Sequence, residues 1–256
     1  MRHLLLALIT FLFFSSSFVL AQNSPETDYQ YQLSQYRRQY AEFQIYKKDY
    51  LENHTLDNEQ KALQSAQLAI VSRELTLASF TRILKQSIIV AEVDHPLIND
   101  TYSSIDELVN YHLNQATTAA VIQTQKDLNA FNTTYQTKIK ANQITLDTIQ
   151  IVNKLAHLLR FSQKLEEQYS LLKPKIESKK NLALLATGLE EIDAQLIKIN
   201  KKLETVIGQI TVYQDVSSSN RQSALEKITG SLVSIQLSER KIVERLIDFD
   251  KNYVDR

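Results

Sequence analysis

The sequence predicts an all-α protein, an elongated multi-helix bundle with a long antiparallel coiled-coil-like helical hairpin at its C-terminus. Three observations carry this. The 256 residues include only 3 Gly and 3 Pro, which leaves almost no turn chemistry for a β protein. From Leu182, alternating steps of three and four residues meet Leu185, Leu189, Ile192, Leu196, Ile199, Leu203, Val206, Ile210 and Tyr213, all apolar apart from the tyrosine's hydroxyl. This 3.5-residue repeat keeps one seam of a helix against a partner. At about 1.5 Å per residue the seam is roughly 48 Å long and needs another long helix to cover it. The third observation is a second seam, Leu225, Ile228, Leu232, Ile235, Glu239, Ile242, Leu246, Phe249 and Tyr253. An unbroken first seam would have reached Ala224, so the phase is reset across Ser217, Ser218, Ser219 and Asn220, as a turn resets it. Ser219 and Gln222 have capping-box spacing for the new helix.

From the start, Met1 to Ala21 reads as a signal peptide: Arg2, then an apolar run from Leu4 to Phe14, then Val19-Leu20-Ala21 as a small-residue cleavage pattern. Cleavage before Gln22 is the preferred reading, and retention as an N-terminal anchor is the alternative. No later stretch is apolar for long enough to span a bilayer. The expected localisation is therefore exported: periplasmic, cell-surface or secreted. The chain has no Cys, so packing alone must hold the exported fold. The remaining residues divide into a helical bundle region of about four helices over 22–173 and the hairpin over 174–256. The hairpin either packs on the first region as one domain or is set apart at Pro174.

Six of the 12 tyrosines lie between positions 29 and 50. Tyr29, Leu33, Tyr36, Tyr40, Phe43 and Tyr50 recur at helical spacing. The line is either a core-facing helix whose hydroxyls reach the bundle's edge, or an interaction stripe of Tyr29, Tyr36, Tyr40, Phe43 and Tyr50 that stacks on sugar rings or a partner's helix. Asn53-His54-Thr55 with Asp57 predicts a break. A helix follows over 57–91, with one face through Leu63, Ala66, Ile70, Leu77, Leu84 and Ile88, widened by Leu68, Val71, Leu75 and Ala78. It stops before Asp94-His95-Pro96, because proline lacks the donor a helix needs. Val93–Ser103 reads as the longest irregular segment after the leader. Ser104 and Glu107 form a second capping box that opens a helix towards Ala130. Asn129, Asn132, Thr133 and Thr134 mark a weak point before the next helix. That helix has one seam from Ile144 to Leu172 and a second apolar face of Ile149, Val152, Ala156 and Leu159, which makes it the most central. Lys173-Pro174 ends or kinks it. Gly188, Gly208 and Gly230 fall inside helices, where they either allow close helix approach or are simply tolerated, and tolerance is the preferred reading.

Catalytic constellations are scarce. His54, His95, His112 and His157 fall at no helical neighbour spacing, and no Glu-x-x-His or His-Glu-x-x-His pattern occurs. His95, in the expected loop, is the one histidine whose setting suggests a site. The pairs Glu166-Glu167 and Glu190-Glu191 sit beside lysines as solvated surface. The 29 basic and 29 acidic residues are interspersed, with no basic stripe of the kind nucleic acid requires. The expectation is no enzyme, no cofactor, no metal and no nucleic acid.

The opening Tyr29-Gln-Tyr-Gln-Leu-Ser-Gln-Tyr-Arg-Arg-Gln-Tyr, with Lys48-Asp-Tyr-Leu-Glu-Asn after it, resembles uncharacterised exported helical proteins of candidate-phylum bacteria. The resemblance spans positions 25–90, implies a bacterial origin and brings no activity with it. The sequence reading of function is an exported, non-enzymatic structural or protein-interaction protein that acts through helix surfaces at the cell envelope or outside. Its partner would be a protein or envelope component, with self-association compatible. The alternative is a helical-bundle ligand-binding module with a Tyr-rich site, its pocket under the Tyr29–Tyr50 helix or near 93–103.

The two C-terminal seams also fix a register. If Tyr213 faces Leu225, then Ile210 faces Ile228, Leu203 faces Ile235 and Ile199 faces Glu239, the one charge in its seam. Glu239 either reaches Lys198 or Lys202 at the seam's edge, or contacts a ligand or sets register from within the core. On either reading Glu239→Leu stabilises the hairpin by about 1–3 kcal/mol.

Overall fold

The computed structural model describes residues 24–178, 182–213, 215–217 and 219–251, without the side chains of 182–185. The expected leader over Met1–Ala21, its cleavage site, and the seam side chains of Leu182, Leu185 and Tyr253 lie outside these residues. Among the described residues there are six helices and no strand: α1 (Pro25–Glu52), α2 (Leu56–Ala91), α3 (Pro96–Ala119), α4 (Gln125–Glu177), α5 (Leu182–Tyr213) and α6 (Arg221–Phe249). None of these is long and apolar enough to cross a membrane. The described residues fall into two compact units, one drawn from Asn23–His157 and Ile207–Ile228, the other from Leu158–Val206 and Thr229–Arg256.

In the first unit the helix starts follow from capping. Ser24 Oγ accepts from the Thr27 N–H at 3.2 Å, Pro25 opens the first turn, and Glu26 and Asp28 complement the helix dipole of α1. Thr55 Oγ1 caps α2 in the same way, accepting from Asn58. The break at 53–55 is where the sequence puts it, and α1 packs along α2, which packs along α3.

Three boundaries correct the sequence reading. Residues 96–103 are not irregular. Pro96 occupies the first turn of α3, where its missing N–H costs nothing, and His95 Nδ1 accepts from the Leu97 N–H at 3.2 Å as the cap. Ser104 is therefore mid-helix. The break expected at 129–134 falls earlier, after Ala119, because Thr124 and Asp127 close a reciprocal box. There the Asp127 N–H donates to Thr124 Oγ1 at 3.2 Å, and the Thr124 N–H donates to Asp127 Oδ2 at 3.0 Å. Pro174 neither starts nor ends a helix, since α4 continues to Glu177. So close to the C-terminus it strands a single carbonyl, that of Ser170.

The core face of α2 also differs. Leu68 is 42 % exposed and Leu63, Ile70 and Leu77 are only half-buried, while Ser65, Ser72, Thr76, Ser79 and Thr81 are buried. Their hydroxyls donate to carbonyls one turn back at 2.7–3.0 Å, so burial leaves no donor unmet. Both α1 and α3 pack on α2, and small residues make up much of its buried surface. Beyond them Ala119, Ile122, Phe131 and Tyr135 form a core cluster at the start of α4. Thr148, Ile149, Ile151, Val152, Leu155 and Ala156 are all buried, as two apolar faces on one helix require.

Along α5 and α6 the expected seams hold. Every described seam residue of α5 from Leu189 to Tyr213 is buried, as are Ile228, Leu232, Ile235, Glu239, Ile242 and Leu246 of α6. Lys202 Nζ donates to Ser234 Oγ at 2.7 Å, Arg245 pairs with Glu191, and the Phe249 ring covers Gly188, so 188–202 runs antiparallel to 234–249. The last segment of α4 runs antiparallel to α5 in turn, through Asn200 to Glu166 at 2.6 Å and Lys173 to Asp193 at 2.7 Å. Asn220 takes the cap position expected for Ser219, its carbonyl accepting from the Ala224 N–H at 3.0 Å.

At Gly188 the close-approach reading replaces the preferred one of tolerance: a Cβ there would meet the Phe249 ring, whereas Gly208 and Gly230 have open space. Gly208→Ala and Gly230→Ala are each expected to gain about 0.5–1 kcal/mol in urea unfolding. Gly188→Ala displaces the ring and is expected to range from neutral to a loss of about 2 kcal/mol.

Candidate functional site

The aromatic line of α1 faces α2 but is not sealed by it. α1 has no fully buried residue. Tyr29, Tyr36, Phe43 and Tyr50 are half-buried and Tyr40 is 46 % exposed. The ring centroids of Tyr36 and Tyr40 lie 5.8 Å apart and those of Tyr40 and Phe43 6.3 Å, so the three rings make one continuous wall. That wall bounds a cleft of ≈ 200 Å³. Ala66, Ala69 and Ile70 of α2 form its floor, and Arg73, Leu128 and Asn132 close the far side. Tyr29 and Tyr50 do not join it. Tyr29 packs on Phe80 at 5.6 Å and Tyr50 meets the His54 ring edge-on at 5.1 Å. They stand about 31 Å apart along α1 and serve the helix ends. Three of the five stripe residues thus share one site.

Arg73 leads from this cleft into a buried polar network. Its Nε and Nη2 both donate to Glu74 Oε1, at 2.8 and 2.7 Å. Glu74 is fully buried, and its other oxygen, Oε2, lies 2.7 Å from Nδ1 of buried His112 on α3. A carboxylate held by a guanidinium only accepts, so His112 carries its proton on Nδ1. The guanidinium lies 4.4 Å from the centroid of the Tyr135 ring, in cation–π contact with its face. Burial, and next the Glu74 charge, hold the hydroxyls of Tyr111 and Tyr135 above the ordinary phenol range. Tyr111 Oη and Asn142 Nδ2 approach each other without forming a proper hydrogen bond.

Chemically, this arrangement presents one cation to solvent and keeps its acid and its imidazole away. Arg73 is 32 % exposed at the side chain, while Glu74 and His112 show 0 % and 5 %. No reacting group of a substrate reaches Glu74 or His112 in this packing. The sequence reading missed both. No sequence signal singled them out, because the buried faces of α2 and α3 also carry Ser72, Thr76, Ser79 and Thr101. His95, the histidine singled out from sequence, is the α3 cap, and His157 Nε2 lies 2.9 Å from Ser87 Oγ.

A second cleft of ≈ 250 Å³ lies beside α3, lined chiefly by Leu97, Asp100, Thr101, Thr148, Ile149 and Thr211. It has no aromatic wall, and its hydroxyls at Thr101, Thr148 and Thr211 already donate to carbonyls of their own helices. Among the described residues no group of three or more His, Asp or Glu side chains gathers closely enough to hold a metal ion. No family model, no curated protein and no solved structure matches this chain.

Proposed function

We propose that the protein is a non-enzymatic binding module whose recognition site is the cleft under α1, exported by its N-terminal leader to act at the cell envelope or outside the cell. The observation that carries this reading is the open aromatic wall of Tyr36, Tyr40 and Phe43 opposite a floor of alanines, with Arg73 held in a fixed orientation at one end. A floor of small residues leaves room for a flat ligand, and pre-set polar contacts orient it. The resemblance of positions 25–90 to exported bacterial helical proteins fits the proposed setting.

The test is thermal unfolding against a panel of small aromatic and sugar ligands. A ligand held at 100 times its Kd is expected to add about 2.7 kcal/mol. Tyr40→Ala, at a half-exposed position, is expected to cost the fold little and to remove the gain. A panel without effect on the native chain contradicts the reading.

A second reading, interaction through helix surfaces with a protein or envelope component, is favoured by the end of the first helical pair. Ile45, Leu51 and Leu56 there are 59 %, 59 % and 79 % exposed. Leu51→Asp with Leu56→Asp is expected to abolish capture of a specific partner from envelope material while leaving the melting temperature unchanged. If capture is unaffected, this surface is not the one used.

A further inference from the structure

We infer that the cleft under α1 takes a small aromatic carboxylate, a single flat ring bearing one anionic end. The inference rests on the reading of this cleft as a binding site and names its ligand class. Size sets the first limit. A cavity of about 150 Å³ holds benzene, so ≈ 200 Å³ accommodates one ring and a short substituent. The walls set the second. Tyr36, Tyr40 and Phe43 recur at i, i+4 and i+7 on α1, and Ala66, Ala69 and Ile70 offer no polar group opposite them. A ring gains stacking and apolar contact there, while a ligand covered in hydroxyls would leave most of them unpaired against the floor.

Charge sets the third limit. Arg73 is the one charged residue that lines the cleft, and neither Asp nor Glu does. Its guanidinium has five N–H donors, of which one on Nε and one on Nη2 go to Glu74. The Nη1 pair and the second Nη2 hydrogen are left for a ligand, in the fork geometry that suits a carboxylate. Glu74 balances the charge of Arg73, so it is these remaining N–H donors, already carried by a cation, that the cleft offers to an anion. The two contacts to Glu74 and the cation–π contact with Tyr135 restrain the fork before the ligand arrives. A cationic ligand would find no carboxylate along the cleft lining.

The experiment is isothermal titration of the full chain with phenylacetate, its neutral amide phenylacetamide, and N-acetylglucosamine, on the native protein and on Tyr40→Ala. The charge requirement is tested on the ligand, because replacing Arg73 would leave Glu74 buried without its counter-ion. The expected result is phenylacetate binding, at least tenfold weaker binding of phenylacetamide, and at least tenfold loss for phenylacetate in Tyr40→Ala. Equal binding of acid and amide, both lost in Tyr40→Ala, overturns the carboxylate inference and leaves the binding site standing. Preference for N-acetylglucosamine that is lost in Tyr40→Ala does the same and points to a sugar. Phenylacetate binding that Tyr40→Ala leaves unchanged places the ligand elsewhere, and absence of binding by all three removes the inference and the site together.

Discussion

Replacing Glu239 with Gln is expected to abolish a loss of roughly 5 kcal/mol that the native chain undergoes as pH rises from 4.5 through about 8. Glu239 lies within the α6 seam, 1 % exposed, and its Oε1 has no hydrogen-bond partner. Burial pushes its carboxyl from 4.5 up to about 8. The folded chain therefore keeps this proton where the unfolded chain releases it. A raised folded value means that the stabilisation is complete below pH 4.5 and is lost as pH rises to about 8. Lysine pairing, one of the two sequence readings, does not occur at Lys202, which donates to Ser234 instead. Burial is the sole cause of the shift, with no cation contributing. Glu239→Gln should unfold at similar urea concentrations at pH 5 and pH 9, with the native chain markedly weaker at the higher value. Glu239→Leu also removes the unmet polar atom and should gain about 1–3 kcal/mol at neutral pH. A native chain with equal urea midpoints at both pH values would mean that Glu239 is solvated or paired.

Arg73→Met is expected to cost about 3–5 kcal/mol, because it leaves the carboxylate of fully buried Glu74 without its cation. The hydrogen bond from His112 remains, but one ring N–H does not replace a two-point guanidinium contact. Coupling Arg73→Met to Glu74→Leu removes the charge along with its partner. The double variant should recover most of the loss, as buried ion pairs replaced by apolar side chains commonly do. Urea unfolding of both variants checks this. If Arg73→Met alone unfolds like the native chain, Glu74 is not the charged centre of this network.

The seams of α5 and α6 and the two faces of α4 could be read directly, because a regular apolar spacing sets which side of each helix turns to its neighbour. The aromatic line of α1 was equally plain, but its exposure was not. Spacing shows which residues share a face, and only the neighbouring helix decides how far that face is covered. The boundaries between 93 and 130 were harder. Pro96 can stop one helix or open the next, and here it opens α3. Asn132, Thr133 and Thr134 suggested a break, yet they are the solvent face of a helix anchored by Phe131 and Tyr135. Thr124-Gln-Lys-Asp127 was the capping signal that placed the real break.

The buried polar groups divide the same way. Glu239 stood out because nothing else polar interrupts its seam. Glu74 and His112 give no such signal, because hydroxyl-bearing residues share their buried faces, and only α2 and α3 side by side bring the two together. Pairing an acid on one helix with a base on another is a tertiary fact that one-dimensional periodicity does not contain. Arg73 inherits its place in the cleft from that pairing.

The most direct test of the central claim, that the cleft under α1 is where this protein binds, is amide chemical-shift mapping of the labelled full chain during a phenylacetate titration. The expected result is a single saturating set of shifts confined to 36–43, 66–73 and 128–132. Shifts at 97–104 and 145–149 instead, or none at saturating phenylacetate, would contradict it.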